Sequence, residues 1–255
     1  MSRKKIFSLI LLSWSWAISA QYDYQVRQVM RSYPVGLLLI SSMGTGKKIW
    51  DSEDSARSYL YGYARPSIAF QTNGMVNTGK VQLDLAPISF LSFYLGSAKT
   101  YRSLKKMGDF NCAEIVCEGQ LERHYVGAKM GLQFGTYFFM NDYRFEKDRV
   151  LKRPGPFADE QATLIGRERY DYLTQNLSVL GKRITDHWSV GILNQYSQMH
   201  YHRNTSNMLL MFGEYGWDKW KYFLASGVFK NLQHQNIFST LLMVTWQGEK
   251  GLTLF

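Results

Sequence analysis

The stretch HYVGAKMGLQF, residues 124–134, decides the fold. Its even positions are Val126, Ala128, Met130, Leu132 and Phe134, with Gly127, Lys129, Gly131 and Gln133 between them. Side chains on a strand alternate faces, so this segment has one oily face and one polar, small-residue face. The question is whether the oily face meets a protein core or lipid.

The same alternation recurs along the chain. In YLYGYARPSIAFQ, Leu60, Gly62, Ala64, Pro66, Ile68 and Phe70 oppose Tyr59, Tyr61, Tyr63, Arg65, Ser67 and Gln71. Pro66 cannot donate to a ladder, so a bulge or a break is expected there. VQLDL sets Val81, Leu83 and Leu85 against Gln82 and Asp84, whereas ISFLSFYLGSAK is apolar on both faces and its orientation is not readable. YFFMNDYRF, QNLSVLG, HWSVGILNQYSQMHYH, NMLLMFGEYG, KYFLASGVFKN and NIFSTLLMVTWQ complete the series. QTNG, NTGK, GDFNCAEIVCEGQ, KRPGPFADE, RNTSN, GWDK and LQHQN read as turns or loops, and QATLIGRERYDYLTQNL as one strand or two.

Three features select lipid. The strands look long, where a tilted membrane strand takes about 9–11 residues and a soluble one about 5–6. The polar faces carry both signs and many small residues, as a crowded barrel interior would. Aromatic residues make up 15% of the chain and recur near strand ends at Tyr59, Tyr61, Tyr63, Tyr137, Phe138, Trp217, Trp220, Tyr222 and Trp246, as interfacial girdles do. The fold expected is all-β, a closed antiparallel transmembrane barrel of about ten to twelve strands. Lumen-facing residues would include Tyr61, Tyr63, Arg65, Lys129 and Gln133. Val126, Ala128, Met130, Leu132 and Phe134 would face lipid.

The N-terminus reads MSRKKIFSLILLSWSWAISAQ: a basic front at Arg3, Lys4 and Lys5, an apolar run, then small residues ending at Ala20. That is the order of a secretory signal, and the apolar run falls short of the ~20 residues a spanning helix needs. The expected division is 1–20 signal peptide, 21–33 periplasmic segment and 34–255 barrel. No cysteine stands at the cleavage site, so no lipid anchor is expected. Cleavage would leave 27 basic against 20 acidic side chains, a net +7. These charges are scattered, which disfavours nucleic acid and leaves outer-membrane lipids, lipopolysaccharide or small solutes as partners. In an oxidising compartment Cys112 and Cys117 would close a small structural disulfide.

The export signal, the run of amphipathic strands and the terminal Phe255 together resemble the outer-membrane β-barrel proteins of bacteria with two membranes. Such chains often end in an aromatic residue on the final strand. The resemblance covers about residues 34–255 and implies an outer-membrane location, but picks out no member of the class.

Chemistry is sparse. His200 and His202, in MHYHRNTSN, share a strand face and invite either a metal or a base for a nucleophile such as Ser197 or Ser206. Outer-membrane phospholipases and lipid A deacylases place a serine two residues after the histidine, where this chain has His202. DHW (186–188) reads as a turn with an interfacial Trp188, and GRERYDY (166–172) as a solvated rim or a salt-bridged interior. MGTGKK (43–48) lacks the spacing of a phosphate loop and reads as a turn. No cofactor or metal is expected. The function expected is non-enzymatic: a structural or surface envelope protein, or a narrow pore for small solutes. One alternative is an outer-membrane lipid hydrolase using His200 or His202. The other is a soluble periplasmic β-sandwich or small-ligand-binding barrel.

Overall fold

The structure, a computed structural model, describes residues 20–252 except 55, 56, 58, 106, 107, 109 and 152–154. The expected signal peptide (residues 1–20) lies outside the described residues except for Ala20, and so does Phe255. In chain order the strands are β1 (Gln21–Arg31), β2 (Gly36–Asp51), β3 (Tyr61–Thr72), β4 (Val76–Ile88), β5 (Leu91–Arg102), β6 (Gly119–Phe134) and β7 (Tyr137–Val150). There follow β8 (Phe157–Asp159), β9 (Leu164–Gly166), β10 (Tyr170–Arg183), β11 (Trp188–Met199), β12 (Thr205–Trp217), β13 (Trp220–Lys230) and β14 (Asn236–Glu249).

Twelve of these strands form one closed antiparallel barrel in sequence order, with β1 sealed against β14, while β8 and β9 pair separately. Closure satisfies every ladder and leaves no edge, as a sheet in hydrocarbon requires. The barrel strands run 11 to 16 residues, enough to cross a bilayer at a tilt.

Alternation decides which way each side chain points. On β6, Val126 and Phe134 are 55% and 69% exposed, and Ala128, Met130 and Leu132 share their outward face. The belt continues around the barrel through Ile68 and Phe70, Val81 and Leu85, Phe93 and Leu95, Leu180, Ile192, Met211 and Leu224. An exterior this apolar is the inverse of a soluble protein's and is that of a transmembrane barrel. It also excludes the β-sandwich alternative. Rings cluster at the two ends. Trp188 packs on Tyr215 and Tyr24 on Trp246 at the end that carries the chain termini; Tyr170, Tyr172 and Tyr201 meet at the other.

Several expectations change. Residues 21–31 are no periplasmic segment but the closing strand β1, whose outward stripe is Tyr22, Tyr24, Val26 and Met30 with Gln28 among them. MGTGKK lies inside β2, not in a turn, and Asn77–Lys80 lie inside β4. A side chain at Gly44 would strike the Arg65 guanidinium and one at Gly46 would strike Leu252, so these glycines thin the wall where the lumen is filled. Pro66 does not break β3: it pairs with Leu83 of β4, while the ladder to β2 skips the residues opposite it. Tyr63 and Phe138 are not girdle rings. Tyr63 is 2% exposed, and Phe138 packs inward on Gly181.

The two-residue and four-residue connections 89–90, 135–136, 184–187 and 218–219 lie at the end of the termini, together with 52–60. The long connections 103–118 and 151–169 lie at the opposite end. Gly127 shows how tightly the wall and lumen fit, since a Cβ there would enter the Tyr94 ring and meet the Tyr143 carbonyl. Gly127→Val is expected to cost about 1–3 kcal/mol by overpacking, read as a lowered urea midpoint of the detergent-folded protein.

Candidate functional site: the filled lumen and its plug

The lumen has two unlike walls. Along β10 to β14 an apolar cluster lines it: Leu193, Leu210, Phe212, Phe223 and Ala225 pack with Leu177, Val179, Leu241 and Met243, and the Phe212 and Phe223 rings stack at 5.0 Å. From β3 to β7 it is polar. Arg65 Nη2 donates to Asp23 Oδ1 at 2.5 Å and Nη1 to Asp84 Oδ2 at 3.3 Å, tying β1, β3 and β4 across the tube. The Tyr94 hydroxyl donates to Asp142 Oδ1 at 2.6 Å, and the Lys129 ammonium lies 5.0 Å from the Tyr94 ring centre. Lys80 and Arg144 lie 5.1 and 3.9 Å from the Tyr125 ring centre. Between the two walls remains a polar cavity of about 150 Å³, lined by Lys80, Lys129, Asp142, Arg144, Gln175 and Gln195 among others. The larger depression, about 870 Å³, is bordered by Tyr24, Met43, Ile68, Val81 and Leu95 and opens on the lipid-facing side.

At the end of the termini, Leu252 tucks against Tyr63 and Ala86. At the other end β8 and β9 form a plug. Phe157 and Leu164 are fully buried against Leu121, Leu173 and Met199 of the wall, with Val116 of the 103–118 loop. Val116 also bridges Phe157 in parallel, so that loop and plug act as one piece. The Cys112–Cys117 disulfide is formed and braces this loop. Asn204 completes the seal: its side-chain amide donates to the Ile165 carbonyl at 2.7 Å and accepts from the Ile165 amide at 3.3 Å, replacing a strand.

An ionic latch holds the plug to the wall. Arg123, on β6 and 2% exposed, donates through Nη2 to Asp159 Oδ2 at 2.9 Å and Glu160 Oε1 at 2.8 Å. Its Nη1 donates to the Thr100 hydroxyl at 2.5 Å, and Nε faces Glu146 at 3.3 Å and Asp148 at 3.8 Å. Arg102 on β5 adds a bond to the Ala158 carbonyl and an ion pair with Glu160 at 3.4 Å. Oxygens of Glu146, Asp148 and Asp159 lie within 4.8 Å of one another, a spacing a divalent cation would also suit. The guanidinium of Arg123 takes that place.

No family model and no curated protein matches this sequence. Among solved structures, the KdgM porin in complex with disordered oligogalacturonate aligns over 88% of this chain and 98% of its own, at 10% identity and TM-score 0.45. OmpT of Vibrio cholerae aligns over 90% and 97%, at 7% identity and TM-score 0.45. The beta domain of the Bordetella autotransporter BrkA aligns over 89% and 99%, at 9% identity and TM-score 0.41. In architecture the chain resembles bacterial outer-membrane β-barrels. Identities this low say nothing of activity.

Sequence reading set Arg65 and Lys129 in the lumen, and the structure places both there with Tyr63; Tyr61 packs beside Tyr63. Gln133 points to the same side but sits at the rim and donates to the Gly135 carbonyl. Among the described residues no serine and carboxylate converge on His200 or His202. His200 Nε2 pairs with the Thr174 hydroxyl at 2.6 Å on the outward rim, and no carboxylate orients its other nitrogen among the described residues. His202 is exposed; Ser197 and Ser206 are buried on the lumen side, the latter donating to the Ala162 carbonyl at 2.7 Å. Asp171 is structural: its carboxylate accepts the amides of Arg167, Tyr172, Tyr201 and His202. In the 186–188 turn, His187 Nδ1 bonds the Gly216 carbonyl and Trp188 is exposed at the rim. Sequence reading missed Arg102, Arg123, Glu146 and Asp148, although a strict count by twos back from Lys129 would have sent Arg123 inward.

Proposed function

We propose that this chain is a non-enzymatic barrel of the bacterial outer membrane with an occluded lumen, serving as a structural or surface-exposed envelope protein rather than a general pore. The observation that carries this reading is the latched plug above a lumen that is apolar along one wall and ion-paired along the other. An open solute channel needs a continuous hydrated path, and at the plugged end Phe157 and Leu164 are fully buried in its way. Outer-membrane lipids are the partners on this reading. Lys99, Lys147 and Lys230 project outward near the plugged end, where they suit the phosphates of lipopolysaccharide.

The test is planar-bilayer recording of the folded protein with fractionation of the membrane. We expect the chain in the detergent-extractable membrane fraction, with a heat-modifiable gel mobility and no stable conductance above the bare bilayer. Large, long-lived channels would overturn the occluded reading, and recovery in the aqueous fraction would overturn the membrane reading.

A further inference from the structure

On β7, β10 and β11 the lipid-facing belt is interrupted by side-chain amides. Along the outward face of β7, Tyr137, Phe139, Tyr143 and Phe145 are apolar or aromatic, yet the residue midway between them is Asn141. Opposite it on β10 stands Ser178, with Asn176 diagonal to it opposite Tyr143, the two between Leu180 and Thr174; next along is Asn194 on β11, between Ile192 and Tyr196. Asn141 Nδ2 donates to Asn176 Oδ1 at 2.8 Å and to Ser178 Oγ at 2.9 Å. Asn194 Nδ2 donates to Asn207 Oδ1 at 2.8 Å. The same depth on β3 to β6 is filled by Ile68, Val81, Leu83, Phe93, Leu95 and Ala128.

These bonds use the amide hydrogens of Asn141 and one oxygen of Asn176. The Asn141 oxygen and the Asn176 amide hydrogens find no partner among the described residues. Acyl chains offer none either, and water does not reach the middle of a bilayer. An amide is both donor and acceptor, so the patch is complementary to itself. A second patch facing it across a two-fold axis would supply a donor for Asn141 Oδ1 and an acceptor for Asn176 Nδ2, the exchange that an isologous interface makes.

We propose that the β7–β10–β11 face is the contact of a membrane-embedded homodimer, centred on Asn141, Asn176 and Ser178, with a second copy of this chain as its occupant. The inference rests on the membrane reading above, and its failure is distinct: a monomer in the membrane fraction sinks the dimer alone.

The experiment uses the full chain in lipid bilayers. Ser178→Cys is expected to form a disulfide-linked dimer under mild oxidation, whereas Val81→Cys on the opposite wall is expected to stay monomeric. In the Asn141→Leu/Asn176→Leu background the cross-linked fraction should fall roughly ten- to a hundredfold, as loss of the paired amides implies. Leucine suits lipid, so heat-modifiable mobility should persist and show that the variant is folded. Equal cross-linking at residues 178 and 81, no cross-link at 178, or cross-linking at 178 to a different protein would each overturn the proposal.

Discussion

Arg123→Ala should unfasten the plug. The substitution leaves Glu146, Asp148, Asp159 and Glu160 facing one another with one shared cation gone, and breaking a buried pair of this kind costs about 3–5 kcal/mol. Two readouts should move together. The urea midpoint of the refolded barrel should fall, and planar bilayers silent with the parent protein should show channel openings. Lys80→Ala removes a cation that lines the polar cavity but touches no plug residue, and should leave the bilayer silent. An Arg123→Ala protein as stable and as silent as the parent would remove the latch from the account.

The Arg123–Asp159 pair that joins plug to wall should also resist acid. Burial alone would raise the Asp159 carboxyl, but the Arg123 guanidinium and the Ala162 amide outweigh it and hold it below the ordinary carboxylate range. A depressed pKa contributes stability that is full above the unfolded value, about 3.9 for an aspartate, and is lost only as pH falls through the lower folded value. Conductance of the parent protein is therefore expected to stay at baseline from neutral pH down to about pH 4.

Ala128→Arg carries the second large effect. Ala128 stands in the middle of the outward stripe of β6, between Val126 and Met130. Arginine near the midplane of a barrel's lipid face costs about 2–4 kcal/mol. Lys129→Gln, one residue along but facing Asp84 and the Tyr94 ring, removes only partly screened interactions and should cost less than about 1 kcal/mol. Reversible urea unfolding in lipid reads both. Were the outer face bathed by water, Ala128→Arg would fall within about 0.5 kcal/mol of the parent.

What the sequence made legible is what a period of two encodes. Val126, Met130 and Phe134 on one side and Arg65 and Lys129 on the other needed only local counting, because a strand fixes side-chain direction residue by residue. Where both faces are apolar the count gives no answer: in β5 the register with β4 and β6 decides that Leu91, Phe93 and Leu95 look outward and Ser92 and Tyr94 inward. The plug was illegible for another reason. β8 and β9 are three residues each, too short for any period, and their burial depends on Val116, Leu121, Leu173 and Met199, which converge only when the tube closes. The missed strand β1 was legible: Tyr22, Tyr24 and Val26 alternate with Asp23, Gln25 and Arg27. The belief that a lead-in segment precedes the first strand hid it.

The seam between β1 and β14 sets the order of assembly. The bond from the Thr240 amide to the Ser32 hydroxyl joins residues 208 positions apart, and beside it the strands pair from Arg31 with Leu241 to Tyr24 with Glu249. A ribosome delivers β1 before every other barrel strand and β14 after them all, so the tube has no completed form until β14 has emerged. Until then two bare edges and eleven greasy stripes have no partner, and such long-range pairing is slow and prone to aggregation. This chain must be kept extended and escorted while it waits for its own last strand.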